Sequence, residues 1–132
     1  MQELEALWTK LCSAMPASFI DHPFGPETTV FKVAGRDKNK AKVFALIIEH
    51  AGELLLNLKA DPALADVQRA QYPQITPGYH MNKKHWNSIH AGLDEQFVLE
   101  LIEDSYDLVV ESMPRKDQEA IRWRGIVAQG EA

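Results

Sequence analysis

The sequence contains little cysteine, no long apolar run and no excess of positive charge. Its one cysteine, Cys12, excludes an internal disulfide, and no activating partner accompanies it, so we expect a buried, unreactive thiol. Apolar runs such as residues 43–48 are much shorter than the roughly 20 residues that cross a bilayer, so no membrane span is expected. Residues 1–5 are acidic and lack the basic and apolar parts of a secretory signal. We therefore expect a cytoplasmic protein.

Signatures of catalysis are also missing. No glycine-rich loop precedes a helix, as many phosphate-binding enzymes require, and no base is placed to activate a serine or the cysteine. His80, His85 and His90 recur at steps of five, a spacing that neither a helix nor a strand brings to one face. We predict a protein that is not an enzyme and that holds no metal and no cofactor.

The formal net charge of −5 disfavours a strong, indiscriminate nucleic-acid binder, because phosphates attract positive charge. The charge is unevenly distributed, however. Residues 1–31 carry −3, residues 32–90 carry +4 and residues 91–132 carry −6. The middle of the chain is thus a basic region between acidic ends, and one basic face is compatible with an acidic protein.

Periodicity and turn residues predict the elements. Apolar residues at steps of three and four predict an opening helix that ends at Pro16. Asp61 followed by Pro62 is a typical helix start, and Asp94 caps a second, longer helix that Pro114 ends. The remaining expectations are strands over 28–33, 43–48, 54–59 and 85–90, a basic hairpin tip, an irregular stretch over 74–82, and a helical tail over 115–132.

Three consecutive strands joined by short turns form an antiparallel meander, because parallel neighbours need longer connections. The chain of 132 residues is long enough for one hydrophobic core and too short for two. We therefore predict a single domain over residues 1–132 with an α+β fold, a two-layer sandwich of helices and antiparallel sheet.

Five segments, taken together, resemble the MmcQ/YjbR family: Val30–Val33, Val43–Leu46, Leu58–Pro62, Pro77–Asn87 and Ser105–Val109. The similarity covers about residues 4–114, and Pro77–Asn87 is its most specific part. The resemblance implies a CyaY-like fold with helices packed on one face of the sheet. It also implies similarity to a "double wing" DNA-binding domain, and therefore DNA as a partner.

Two basic segments are the candidate DNA contacts, since cations on protruding loops suit phosphates. The hairpin carries Lys32, Arg36, Lys38, Lys40 and Lys42. The second segment carries His80, Asn82, Lys83, Lys84 and His85, and Lys59 belongs to the matching Leu58–Pro62 segment. The competing interpretation is a pair of solvated loops whose charges prevent edge-to-edge aggregation.

A different class of function is also open. Tyr79, His80 and Trp86 are placed to line a pocket for a small anion or a protein partner, although rings at these positions also suit packing in the core. On the last long helix, acidic residues at helical spacing indicate a solvated outer face; they are Glu100, Glu103, Asp104, Asp107 and Glu111.

Overall fold

The computed structural model describes residues 1–131, so Ala132, the last residue of the predicted tail, lies outside the described residues. In chain order, the elements are helix α1 (Gln2–Ser13), strands β1 (Ser18–Asp21), β2 (Thr28–Val33), β3 (Lys42–His50) and β4 (Glu53–Lys59), helix α2 (Pro62–Gln71), strands β5 (Ile75–Pro77) and β6 (Trp86–Ile89), and helices α3 (Glu95–Glu111) and α4 (Arg115–Glu131).

The helix starts follow local chemistry. The Asp61 carboxylate accepts a hydrogen bond from the backbone N–H of Ala63, and Pro62 occupies the first position of α2, where its missing N–H costs nothing. Asp94 caps α3 in the same way through the N–H of Phe97. Both starts were predicted from the sequence and are confirmed.

All strands pair in antiparallel fashion in one sheet of order β1-β2-β3-β4-β6-β5. A two-residue turn joins β3 to β4, in which Ala51 and Gly52 both have positive φ, at 52° and 77°. Such a turn matches the twist of the strands it connects. The predicted meander is confirmed.

The stretch over residues 74–82 differs from the prediction, because Ile75–Pro77 forms strand β5 at the edge of the sheet. A segment of three residues that ends in proline is too short to show the apolar–polar alternation of a strand. Proline is tolerated here because a strand at the edge of a sheet needs fewer backbone N–H donors. Ile75 is nonetheless buried at 2% exposure, which anchors this strand in the core.

The two faces of the sheet are distinct. Directly opposed residues share a face, and the row Phe31, Ala45, Leu58 packs into the core together with Ile102 of α3. Trp8 and Cys12 bring α1 to the same core. The α+β sandwich with helices on one face of an antiparallel sheet is therefore confirmed.

Cys12 is fully buried, and burial raises the pKa of its thiol to about 12. No helix within residues 1–131 combines the length and apolar character that a membrane span requires.

Candidate nucleic-acid interface

The two basic segments meet at one end of the sheet. The hairpin tip, residues 34–41, connects the end of β2 to the start of β3, where Val33 pairs with Lys42. The second segment, residues 78–85, connects the end of β5 to the start of β6, and Lys59 pairs with Trp86 at the same end. Only β4 separates β3 from β6, so the strand ends that carry the two segments, at Lys42 and Trp86, are about 10 Å apart at a strand spacing of about 4.8 Å.

Carboxylates neutralise two of the hairpin cations. Lys32 Nζ lies 2.8 Å from Asp21 Oδ2. Arg36 contacts Asp117 of α4 through Nε at 3.0 Å, and its backbone N–H donates to the same oxygen at 2.9 Å. The side-chain hydrogen bonds from Lys32 and Arg36 hold the pKa of Asp21 and of Asp117 below their ordinary value.

The structure binds Lys42 within the fold and places Lys59 beside a cavity. Lys42 Nζ donates to the Ser112 hydroxyl at 3.1 Å and to its carbonyl at 3.3 Å, which places a positive charge at the negative end of α3. Lys59 lies at the edge of a cavity between α2 and α3 whose other charged lining residues are carboxylates.

Lys38 and Lys40 remain available. Both lie in a short 3-10 turn, Lys38–Lys40, which Asp37 caps through the N–H of Asn39. Lys38 Nζ lies 4.6 Å from the centre of the Phe19 ring, a cation–π contact that leaves its N–H donors free. Both side chains are exposed, and among residues 1–128, whose side chains the structure describes, neither has an ion pair.

The second segment is tied to the sheet through buried polar groups. Asn57 Nδ2 donates to the Tyr79 carbonyl at 3.0 Å, the Tyr79 N–H donates to Ser88 Oγ at 2.9 Å, and Ser88 Oγ donates to Asn57 Oδ1 at 2.5 Å. Gly78 is required at its start, because a Cβ there would lie 2.8 Å from Trp86 Cβ. These contacts hold the segment against the sheet.

Arg69 of α2 holds the other side of this segment. Its guanidinium donates to the carbonyls of Lys83 and Trp86, the latter at 3.1 Å, and its Nε donates to Asn87 Oδ1 at 2.6 Å. The sequence analysis did not single out Arg69, because its three acceptors lie 14 to 18 residues away.

Within the segment, Asn82 accepts the N–H of Lys84, so its side chain shapes the turn. Lys83 Nζ reaches the Gly78 carbonyl at 3.4 Å. Lys84 is exposed, as is His80, whereas His85 is half-buried. His80 has a φ of 59°, which turns the chain sharply at this point.

Tyr79 packs against two imidazoles. Its ring centre lies 4.0 Å from that of His50 and 4.0 Å from that of His80. Trp86 is half-buried at the start of β6. The small-anion or protein pocket near these residues stays a prediction, since the five principal hollows of the described chain are lined by other residues.

A hydrogen-bonded row of three side chains lies near the edge of the sheet. His90 Nε2 lies 2.9 Å from Thr76 Oγ1, and His90 Nδ1 lies 2.6 Å from Glu53 Oε1. The row links β4, β5 and the end of β6, and Glu53 is 52% exposed. It holds the edge strand β5 in place. Within residues 1–131, no three His, Cys, Asp or Glu side chains gather into a group suited to a metal ion.

These features define a class of protein, a small α+β domain with basic loops at one end of an antiparallel sheet. The sequence model of the YjbR family matches residues 13–108, and the chain belongs to this family. The family resemblance drawn from the five segments is therefore confirmed.

Relatives and solved structures agree with this assignment. The chain is 40% identical to the uncharacterized protein YbdF of Escherichia coli O157:H7 over 123 residues, which cover 92% of this chain and 96% of the relative. A crystal structure of a Deinococcus radiodurans protein is similar with a TM-score of 0.76 and 31% identity, covering 86% of this chain and 84% of that one. A Pseudomonas syringae protein is similar with a TM-score of 0.66 and 27% identity, covering 79% and 97%.

Proposed function

We propose that this chain binds duplex DNA weakly, through phosphate contacts made by the hairpin tip and by the 78–85 segment. The observation that carries the proposal is the position of both basic segments at one end of the sheet, on strands β3 and β6 whose ends are about 10 Å apart. Lys38, Lys40 and Lys84 supply exposed ammonium groups there, and His80 and His85 lie on the second segment beside Lys84.

The contact set is smaller than the eleven residues that the sequence suggested. Lys32, Arg36, Lys42 and Lys83 already donate to acceptors within the fold. Three lysines predict a slope of about −3 in log K against log salt, and a dissociation constant of about 10⁻⁴–10⁻⁶ M is typical of such binding without sequence preference.

The geometry of the two segments favours a duplex. The hairpin tip contacts Phe19 of β1 and Asp117 of α4. The Asn57, Tyr79 and Ser88 hydrogen bonds fix the second segment. Two separated groups of basic side chains can contact phosphates on both sides of a groove of duplex DNA. Single-stranded DNA would instead need exposed rings for stacking, and the Tyr79 ring is occupied by His50 and His80.

The test is fluorescence anisotropy of a labelled 20-base-pair duplex over a salt series. Reversing Lys38, Lys40 and Lys84 to Glu should weaken binding at least tenfold and flatten the salt dependence. The control, Lys10→Glu with Lys116→Glu and Arg124→Glu, changes the net charge equally at exposed positions elsewhere and should weaken binding much less.

Equal losses in both triple variants would contradict the proposed surface, since they would show only a general charge effect. A preference for single-stranded DNA of the same sequence would contradict the duplex. The small-anion alternative makes a different prediction, a saturable change in tryptophan fluorescence on titration with inorganic phosphate that His80→Ala removes.

A further inference from the structure

A cavity between α2, α3 and the β4–β6 part of the sheet lies outside the surface proposed for DNA. Its volume is about 380 Å³, within the range of about 300–1,000 Å³ that small-molecule sites occupy. Its walls are largely apolar, with Leu58 and Ile89 from the sheet, Leu64 from α2, and Leu101 and Leu108 from α3.

The charged groups around this cavity are mostly of one sign. Asp61, Asp104, Asp107 and Glu111 line it, and Lys59 is the one base among the lining residues. None of these four carboxylates has an ion-pair partner within 4.0 Å in the described part of the chain. Burial, Glu111 and Asp104 together raise the pKa of Asp107.

A buried polar group completes the lining. Asn87 is 2% exposed, its Oδ1 accepts from Arg69, and its Nδ2 donates to Gln68 Oε1 at 3.3 Å. These contacts fix Asn87 at the wall of the cavity, where its side-chain amide can report on a bound molecule.

We propose that this cavity binds a small organic cation, a primary amine or a guanidine on an apolar stem. The carboxylates supply the attraction that an ammonium group requires, and the leucine walls bury the stem. An anion is disfavoured by the same carboxylates, and a purely apolar ligand would leave them unpaired. The site is independent of the DNA surface, because none of the three lysines proposed there lines it.

The probes are n-hexylamine, 1-hexanol and hexanoate, which share a stem and differ in the head group. Titration followed by ¹H–¹⁵N correlation spectra should show hexylamine shifting the Leu64 and Leu108 amides and the Asn87 side-chain amide together. Hexylamine should bind at least tenfold more tightly than hexanol, and hexanoate should not saturate the site.

Two matched pairs of substitutions locate the charge. Asp107→Asn with Glu111→Gln should weaken hexylamine binding at least tenfold and abolish its advantage over hexanol. Glu100→Gln with Glu103→Gln removes two charges from exposed positions of the same helix that do not line the cavity, and should leave binding within twofold.

Leu64→Trp fills the mouth of the cavity from a position that is 46% exposed, so the fold should tolerate it while all probes lose access. Equal affinity for hexylamine and hexanol, or shifts scattered over the whole acidic surface, would overturn the proposal. The DNA proposal rests on other residues. A failure to bind DNA would therefore not change the outcome of the hexylamine titration.

Discussion

Ser105 is a small buried side chain that satisfies two backbone groups at once. Its hydroxyl donates to the Phe44 carbonyl at 2.6 Å and accepts the Lys59 N–H at 2.8 Å. The sheet needs this bridge because the register between β2 and β3 shifts next to Phe44, which has no partner on β2. The sequence places Ser105 on the inner face of α3 as a packing residue, but it does not predict the bridge between two strands.

Ser105→Ala should therefore destabilise the fold strongly. It leaves one buried donor and one buried acceptor without partners, and each costs about 1–3 kcal/mol. We expect a loss of roughly 3 kcal/mol in the free energy of unfolding, measured by urea denaturation. Ser13→Ala, at an exposed position of α1, should change it by less than about 0.5 kcal/mol.

The Arg36–Asp117 pair should make stability depend on pH in a known direction. Hydrogen bonds from Arg36 hold the pKa of the folded Asp117 carboxyl below its ordinary value of 3.8. The stabilisation that the ionised Asp117 carboxylate gives to the fold is thus fully present above the pKa that this group has in the unfolded chain. It is lost as the pH falls through the lower pKa of the group in the folded protein.

The expected result is that Asp117→Asn lowers stability near neutral pH and that its difference from the natural protein shrinks in acid below pH 3.8. Urea denaturation at both pH values measures this. Glu103→Gln removes the same charge from an exposed position of α3 and is the reference. A difference that grows in acid would contradict the assignment.

Among the elements, α4 docks onto the hairpin through a close approach of two backbones. A Cβ built on Gly35 would lie 2.4 Å from Asp117 Cβ and 2.8 Å from Asp117 Cα, so no side chain fits there. Glycine at this position lets the Arg36 N–H reach the Asp117 carboxylate.

Gly35→Ala should push α4 away and cost about 1–3 kcal/mol by overpacking. Gly125→Ala, in the middle of α4, offers a contrast, because its added Cβ would meet Pro16 at an ordinary 3.5 Å. Alanine is the better helix former, and this change should stabilise the protein by about 0.5–1 kcal/mol. Thermal unfolding of both variants measures the two changes in stability. If both variants were more stable than the natural protein, or both less stable, the packing described for Gly35 and Gly125 would be contradicted.

The elements with strong local signals were predictable, and those that depend on partners were not. The Asp61–Pro62 start of α2 follows from two adjacent residues. Strand β5 depends instead on β6, since Thr76 pairs with Ser88 and Pro77 with Asn87. A three-residue strand has no period of its own, so only its neighbour defines it.

At the scale of the whole molecule, the topology brings the two basic segments to one end of the sheet, but the sequence could not predict which of their cations have partners within the fold. The meander places both basic segments at one end of the sheet. The neutralising contacts are long-range, however, as Arg36 and Asp117 are 81 residues apart and Lys42 and Ser112 are 70 apart. Only the tertiary fold determines such pairs.

The acidic face of α3 is solvated, as its helical spacing predicted, because all five of its acidic residues are exposed. Three of them, Asp104, Asp107 and Glu111, also line the cavity together with Asp61, which caps α2. Glu100 and Glu103 lie outside that lining. The acidic residues of α3 therefore fall into two groups, those that line the cavity and those that do not. This difference depends on the position of α2, so the helical spacing of α3 alone could not predict it.

The burial of Cys12 has a practical consequence. As the sole sulfhydryl, shut inside the core with its ionisation suppressed, it is invisible to alkylating reagents while the chain stays folded. Each modification event therefore counts one opening of the core. A cysteine introduced on either basic loop would be tagged selectively, so dyes or spin labels can report on that loop without removing the natural residue.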